Sequence, residues 1–229
     1  MATKIPVFVP YRSDGGHRDL NWALIKETIW DEAPWAEVVV GESPDGPFNL
    51  SAARNDAASK LDWDVAIFAD ADSIVSLDTL DAALGAALET DRPVLPHSRW
   101  VNVTYEERNQ FILNKYVEYN PKRTVVSGTK SSMLVIPRKA YDAVNGFDER
   151  FRGWGWEDTA FHLAMTNLYA PFIQFEGIVW HLEHERPTGD VNRALDENSI
   201  RNRAHYKRYQ MARNNTELRK LINGNRVTL

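Results

Sequence analysis

The chain has 229 residues, with 27 Lys plus Arg against 32 Asp plus Glu, 43% apolar residues and no Cys. These values exclude a disordered tail and a disulfide scaffold, and a chain of this length can bury about 70% of its extended surface without a metal or a disulfide to hold it together. Met1–Pro10 lacks the apolar length and cleavage pattern of a signal peptide, and no apolar stretch approaches the ~20 residues that span a bilayer, so the expectation is a single cytoplasmic domain without a membrane anchor.

Charge is uneven. Residues 186–229 hold ten Lys or Arg and four Asp or Glu, which leaves 17 against 28 for residues 1–185. The basic end reads as a solvated terminal helix beside an acidic body, and the overall charge of −5 argues against a nucleic-acid binder. Asn-x-Ser/Thr triplets at Asn49, Asn102 and Asn214 read as chance.

Along the chain, Lys4–Pro10 is a β-rich run, followed by turn residues Ser13–Gly16 and a helical pattern over Asp19–Glu32. Ala36–Gly41 is a second strand, Pro44–Pro47 a turn, and Ser51–Leu61 a small-residue helix able to pack closely on a sheet. Val65–Ala69 is a buried-type strand, Leu77–Leu88 a helix with Ser76 as N-cap, and Pro93–Leu95 the start of another strand. This alternation predicts a mostly parallel sheet with helices on both faces and ligands bound outside the carboxyl ends of its strands. In the second half, Tyr105–Tyr119 reads as helix, Ser131–Ile136 as strand, and Pro137–Val144 as a short helix with Pro at its first position and Gly146 past its end. A Gly- and Trp-rich loop, Gly153–Trp156, leads into a helix from Glu157 to Leu168. Phe172–Trp180 contains a strand, and Asn192–Gln210 is a long polar helix. A change of character near residue 125 divides one domain, 1–229, into two lobes, 1–125 and 126–229.

Three segments carry chemistry. In Phe68–Ser73 (FADADS), Asp70 and Asp72 follow a buried-type strand, where neighbouring like charges are unfavourable unless a cation joins them; Mg²⁺ or Mn²⁺ completed by a diphosphate suits that geometry. In Gly146–Asp158, Glu157 and Asp158 open a helix, where they could simply complement its positive end. The preceding Trp154 and Trp156, flanked by Gly153 and Gly155, suit the apolar face of a sugar ring. In Trp180–Pro187 (WHLEHERP), the spacing matches no zinc motif, and His181, directly after the strand, is a candidate third ligand of the metal clip. Pro10, Tyr11 and Arg12 follow the first strand, with Arg54 and Asn55 on the second helix near the same edge. Ser127–Ser132 (SGTKSS) lacks P-loop spacing.

Taken in order, the PYR start, the ARN helix, the Asp-x-Asp, and GF followed by WGWED resemble a glycosyltransferase of the GT-A fold over roughly Ile5 to Tyr209. The GF…GWG-x-ED segment is particularly similar to the β-1,4-galactosyltransferases and, more loosely, the polypeptide N-acetylgalactosaminyltransferases. The resemblance implies a Rossmann-like central sheet with a smaller acceptor-side lobe and a nucleotide-sugar donor, by preference a UDP-sugar, with a glycan, protein or small-molecule acceptor. It implies nucleotide contacts from Pro10, Tyr11, Arg12 and Arg54, a sugar lying against Trp154, and a Mn²⁺ (or Mg²⁺) site from Asp72 with Asp70 and His181. It also implies an acceptor-side pair, Glu157 and Asp158, with Asp158 as base of an inverting transfer. Trp156 departs from the pattern, standing where the galactosyltransferase stretch has its second Gly. A nucleotidyltransferase and a non-catalytic sugar-binding module are the alternative classes.

Overall fold

The computed structural model describes residues 4–44, 46–113, 125–153, 155–185 and 196–224. In chain order the elements are β1 (Ile5–Pro10), α1 (His17–Ile25), β2 (Ala36–Gly41), α2 (Leu50–Ser59), β3 (Val65–Ala69), β4 (Ser73–Ile74), α3 (Leu77–Thr90), β5 (Val94–Leu95), β6 (Arg99–Val103) and α4 (Tyr105–Leu113). Then come β7 (Val125–Ser127), β8 (Met133–Pro137), α5 (Arg138–Ala143), α6 (Glu157–Leu168), β9 (Ile173–Gln174), β10 (Ile178–Leu182), α7 (Glu197–Met211) and α8 (Asn215–Ile222). Part of the expected Tyr105–Tyr119 helix and the start of the Asn192–Gln210 helix lie outside the described residues.

The main sheet has six strands in the order β2-β1-β3-β8-β5-β9. β1 runs parallel to β2 and β3, and β5 parallel to β9, while β8 is inserted antiparallel between β3 and β5. A smaller sheet, β4-β10-β6-β7, stands at the end of β3. Strands from both sides of residue 125 thus contribute to each sheet.

Side-chain alternation builds a core on each face of the main sheet. Val7, Val9, Ile67, Ala69, Met133 and Val135 join residues of α1 and α3 on one face. Phe8, Ala66, Phe68, Leu134 and Ile136 join α2, α5, α6, α7 and α8 on the other. The expected small-residue helix does pack closely: a Cβ at Gly41 would run into the Ala53 carbonyl oxygen of α2. Ser76 caps α3 by accepting from Thr79 N–H at 3.3 Å. The expected Asp19–Glu32 helix instead changes pitch after Ile25, where Lys26–Trp30 forms a π-helical turn that buries Trp30. Asn49 and Asn214 of the three triplets serve as helix N-caps.

Candidate active site

β3 ends at Ala69 in the middle of the main sheet, and the chain turns sharply into β4, the Ser73 N–H donating to the Asp70 carbonyl at 3.2 Å. This turn sends the two carboxylates to different partners. Asp70 Oδ1 accepts from Arg54 Nη2 at 2.7 Å, with Arg54 fully buried on α2. Asp72 instead faces two imidazoles: His184 Nε2 is 3.0 Å from its Oδ2 and His181 Nε2 is 3.8 Å from its Oδ1. Ligand atoms of Asp72, His181 and His184 all lie within 4.8 Å of one another.

Both rings are oriented from behind. His181 Nδ1 is 3.2 Å from Asn102 Oδ1, on the parallel neighbour β6, and His184 Nδ1 is 2.8 Å from the Glu185 carbonyl. Arg18, on α1, lies farther from the same Nδ1, at 3.4 Å, so the shorter carbonyl contact takes the Nδ1 proton. Nε2 of each ring faces the Asp72 carboxylate, and a partner behind Nδ1 is the arrangement that orients metal-binding histidines elsewhere. Burial would raise the Asp72 carboxyl, but His181, His184 and Arg18 outweigh it and hold it below the usual carboxylate range. For Asp70 burial wins over the Arg54 charge, and its carboxyl is raised. One carboxylate and two imidazole nitrogens make a donor set that fits a first-row divalent ion such as Mn²⁺ better than Mg²⁺, which prefers oxygen throughout.

Arg54 links this cluster to the second pair of acids. Its guanidinium feels the charges of Asp70, Glu157 and Asp158 together, and it lies 5.0 Å over the Phe147 ring. Arg54 Nε and Nη1 and Glu157 Oε2 are buried with no hydrogen-bond partner among the described residues. Burial first, and the neighbouring Asp158 charge second, push the Glu157 carboxyl up to about 7, with Arg54 opposing. Asp158 Oδ1 accepts from Thr159 N–H at 2.6 Å and from the Thr159 hydroxyl at 3.2 Å. Asn55, beside Arg54, ties this region to α2: its Oδ1 accepts from Tyr141 OH and Phe147 N–H, and its Nδ2 donates to the Phe147 carbonyl. Gly146, at φ +67°, has no room for a Cβ between Asn55 and Tyr141.

The chain region 32–185, about two thirds of its length, matches the family model described as Glycosyltransferase like family 2. The chain belongs to this family. As a glycosyltransferase it sets aside the nucleotidyltransferase and the non-catalytic module. No curated protein matches the chain. Among solved structures it is similar to the catalytic domain of Drosophila β1,4-galactosyltransferase 7 in complex with xylobiose, with TM-score 0.55 and 14% identity over 88% of this chain and 80% of that one. A mutant of the same Drosophila enzyme with manganese, UDP-Gal and xylobiose gives 0.53 and 14%, over 87% and 79%. GalNAc-T7 with UDP, GalNAc and Mn²⁺ gives 0.56 and 13%, over 96% of this chain and 54% of that one, so the chain spans about half the length of GalNAc-T7. These likenesses identify the fold as GT-A.

Within the glycosyltransferase, the structure brings Asp72 and His181 together as a cluster and adds His184. Asp70, expected beside Asp72 on the metal, is paired with Arg54, which was expected on the nucleotide. Pro10, Tyr11 and Arg12 stand at the tip of β1, but the Tyr11 hydroxyl donates to Asp19 at 2.7 Å. Arg12 donates to the carbonyls of Ser43, Pro44 and Gly46 at 2.7 to 2.8 Å. Trp154 lies outside the described residues. Among the described residues no helix is long and apolar enough to cross a membrane. Arg18 was not anticipated; the His-Arg pair directly after the Ser13–Gly16 turn, at the carboxyl end of β1, was its signal.

Proposed function

We propose that this glycosyltransferase moves a sugar from a nucleotide-diphosphate donor, by preference a UDP-sugar, to an acceptor hydroxyl with inversion. The observation that carries the reading is the Asp72–His181–His184 cluster standing next to Asp70–Arg54, whose guanidinium also senses Glu157 and Asp158. Asp72, His181 and His184 would hold a Mn²⁺ ion, whose chemistry when bound would be to offset negative charge on a departing diphosphate. Residues 1–125 carry the nucleotide side and residues 126–229 the acceptor side of one domain.

The chain's own groups divide the remaining work. Pro10 and Tyr11 border the nucleotide at the tip of β1, and Arg12, already shared among three carbonyls, holds the 43–46 segment in place. Arg54 holds the Asp70 carboxyl through Nη2 and directs Nε and Nη1, which have no hydrogen-bond partner among the described residues, with Glu157 Oε2, as polar capacity for the donor and acceptor hydroxyls. Asp158 Oδ1 is occupied by Thr159, which leaves Oδ2 to take the proton of the acceptor hydroxyl. As that O–H bond breaks, the acceptor oxygen bonds the anomeric carbon from the face opposite the diphosphate, and the carbon–diphosphate bond breaks with its electron pair. Trp154 is assigned the sugar face.

A thermal-shift series with UDP-, GDP-, dTDP- and CMP-sugars, with and without Mn²⁺, tests the donor and the metal together, because a ligand selective for the native state raises apparent stability. The expected outcome is a rise of several °C with a UDP-sugar that requires Mn²⁺ and disappears in Asp72→Asn. An equal rise in chelator, or one retained by Asp72→Asn, would count against the metal cluster.

A further inference from the structure

The segment from Asp148 to Trp156 leads the chain into the first turn of α6, and one helix grips it at both ends. At the near end, His205 Nε2 and Tyr209 OH of α7 each lie 2.7 Å from Asp148 Oδ2. Arg150 Nε and Nη2 also donate to the carboxylate at 2.7 Å, and the Arg150 backbone N–H at 3.0 Å. At the far end, Asn202 is 2% exposed and bonds backbone: its Oδ1 accepts from Arg152 N–H at 3.1 Å, and its Nδ2 donates to the Arg152 and Gly155 carbonyls at 2.8 and 3.0 Å. Tyr206 stacks on Trp156, with ring centroids 5.1 Å apart and 22° between planes. Asn202, Tyr206 and Tyr209 recur at i, i+4 and i+7, so a single face of α7 makes all these contacts.

Trp156 explains why such a grip is needed. It caps α6 with φ +74° and without a side-chain capping bond. That left-handed conformation is disfavoured for a bulky residue and persists only where its surroundings over-determine it. Its next neighbours in the chain are Glu157 and Asp158. Tyr206 shares the apolar attachment of α7 and α8 to the core with Tyr209, Leu218 and Ile222.

We infer that α7 is a positioning element for the transfer reaction: Asn202 and Tyr206 fix the Arg152–Trp156 turn and thereby set where the carboxylates of Glu157 and Asp158 stand. This rests on the reading of Asp158 as the base. A misplacement of about 1 Å by a residue remote from the reacting atoms costs on the order of 100-fold in rate. Asn202→Ala and Tyr206→Leu therefore lower kcat about 10- to 100-fold, with the KM for the nucleotide sugar and the Mn²⁺-dependent UDP affinity close to those of the wild type. Tyr206→Phe, which keeps the ring, keeps kcat.

Backbone amide exchange read on the free protein speeds up across residues 152–156 in Asn202→Ala. Unchanged exchange there, or a kcat within twofold of wild type, overturns the inference, as does a loss of UDP affinity in step with kcat. Should Asn202→Ala not fold, equal kcat in Tyr206→Leu and Tyr206→Phe overturns it instead. A wild-type chain that transfers no sugar overturns the reading of Asp158, and the exchange measurement, made without substrate, separates that failure from a failure of the clamp.

Discussion

Asp72 and Asp158 are held by opposite kinds of scaffold. Asp72 leaves the tip of a central strand whose backbone is paired on both sides, and its carbonyl accepts from Leu182 N–H at 2.8 Å, tying it to β10 and so to both histidines. Asp158 opens a helix whose approach is a glycine-tryptophan turn fixed by the side chains of Asn202 and Tyr206. Main-chain ladders survive most single substitutions, whereas a turn fastened by two side chains fails when either is cut. A strand tip and a clasped turn are therefore two different architectural means of holding a carboxylate.

The largest expected effect breaks the comparison at the helix. Asp158→Asn preserves shape and removes the base, so kcat falls about 10²- to 10⁴-fold while calorimetric binding of UDP with Mn²⁺ stays as in the wild type. Retained turnover would move the base to another residue. Next, Asp148→Asn leaves Arg150 without its buried partner and lowers stability by about 3 kcal/mol at pH 7, read from urea unfolding. Burial opposes ionisation of Asp148, but bonds from His205, Arg150 and Tyr209 outweigh it and hold the carboxyl down at about 2. Its folded pKa is depressed, so its contribution is fully present above the unfolded value near 3.9 and is lost as pH falls from there towards 2. The gap between variant and wild type must narrow across that window.

The smallest effect has the opposite sign. Glu157, raised to about 7, costs the native state stability when it ionises, and that cost grows as pH climbs from about 4.5 through 7. Glu157→Gln accordingly unfolds about 1–3 kcal/mol later than wild type at pH 8, with no difference below pH ~4.5, where both are neutral. An equal gap at both pH values would show that the carboxylate is not strained by its surroundings.

The same contrast governs what could be read from the chain before folding. β2, β3 and α6 were found with their observed limits because local periodicity and Ser, Pro and Gly punctuation specify them. The smaller sheet was missed: β4, β6 and β7 are two to five residues long and exist by pairing with β10 and with one another, which no local pattern reports. Asp70 and Asp72 were legible as a pair, but not that Arg54 would take one of them, since that depends on how closely α2 approaches β3. His184 returns to Asp72 only through the curl of the chain beyond β10. In α7, the abundance of exposed Arg and Lys masked the buried stripe of Asn202, Tyr206 and Tyr209, and the polar helix looked merely solvated.

The insertion of β8 between β3 and β5 has a consequence for biosynthesis. Translation delivers β1, β2 and β3 long before the strand that closes β3's open edge, so the nascent strands wait with unsatisfied amides and with Phe68 still lacking its neighbour Phe147. Completion of the sheet therefore waits on the emergence of β8 from the ribosome.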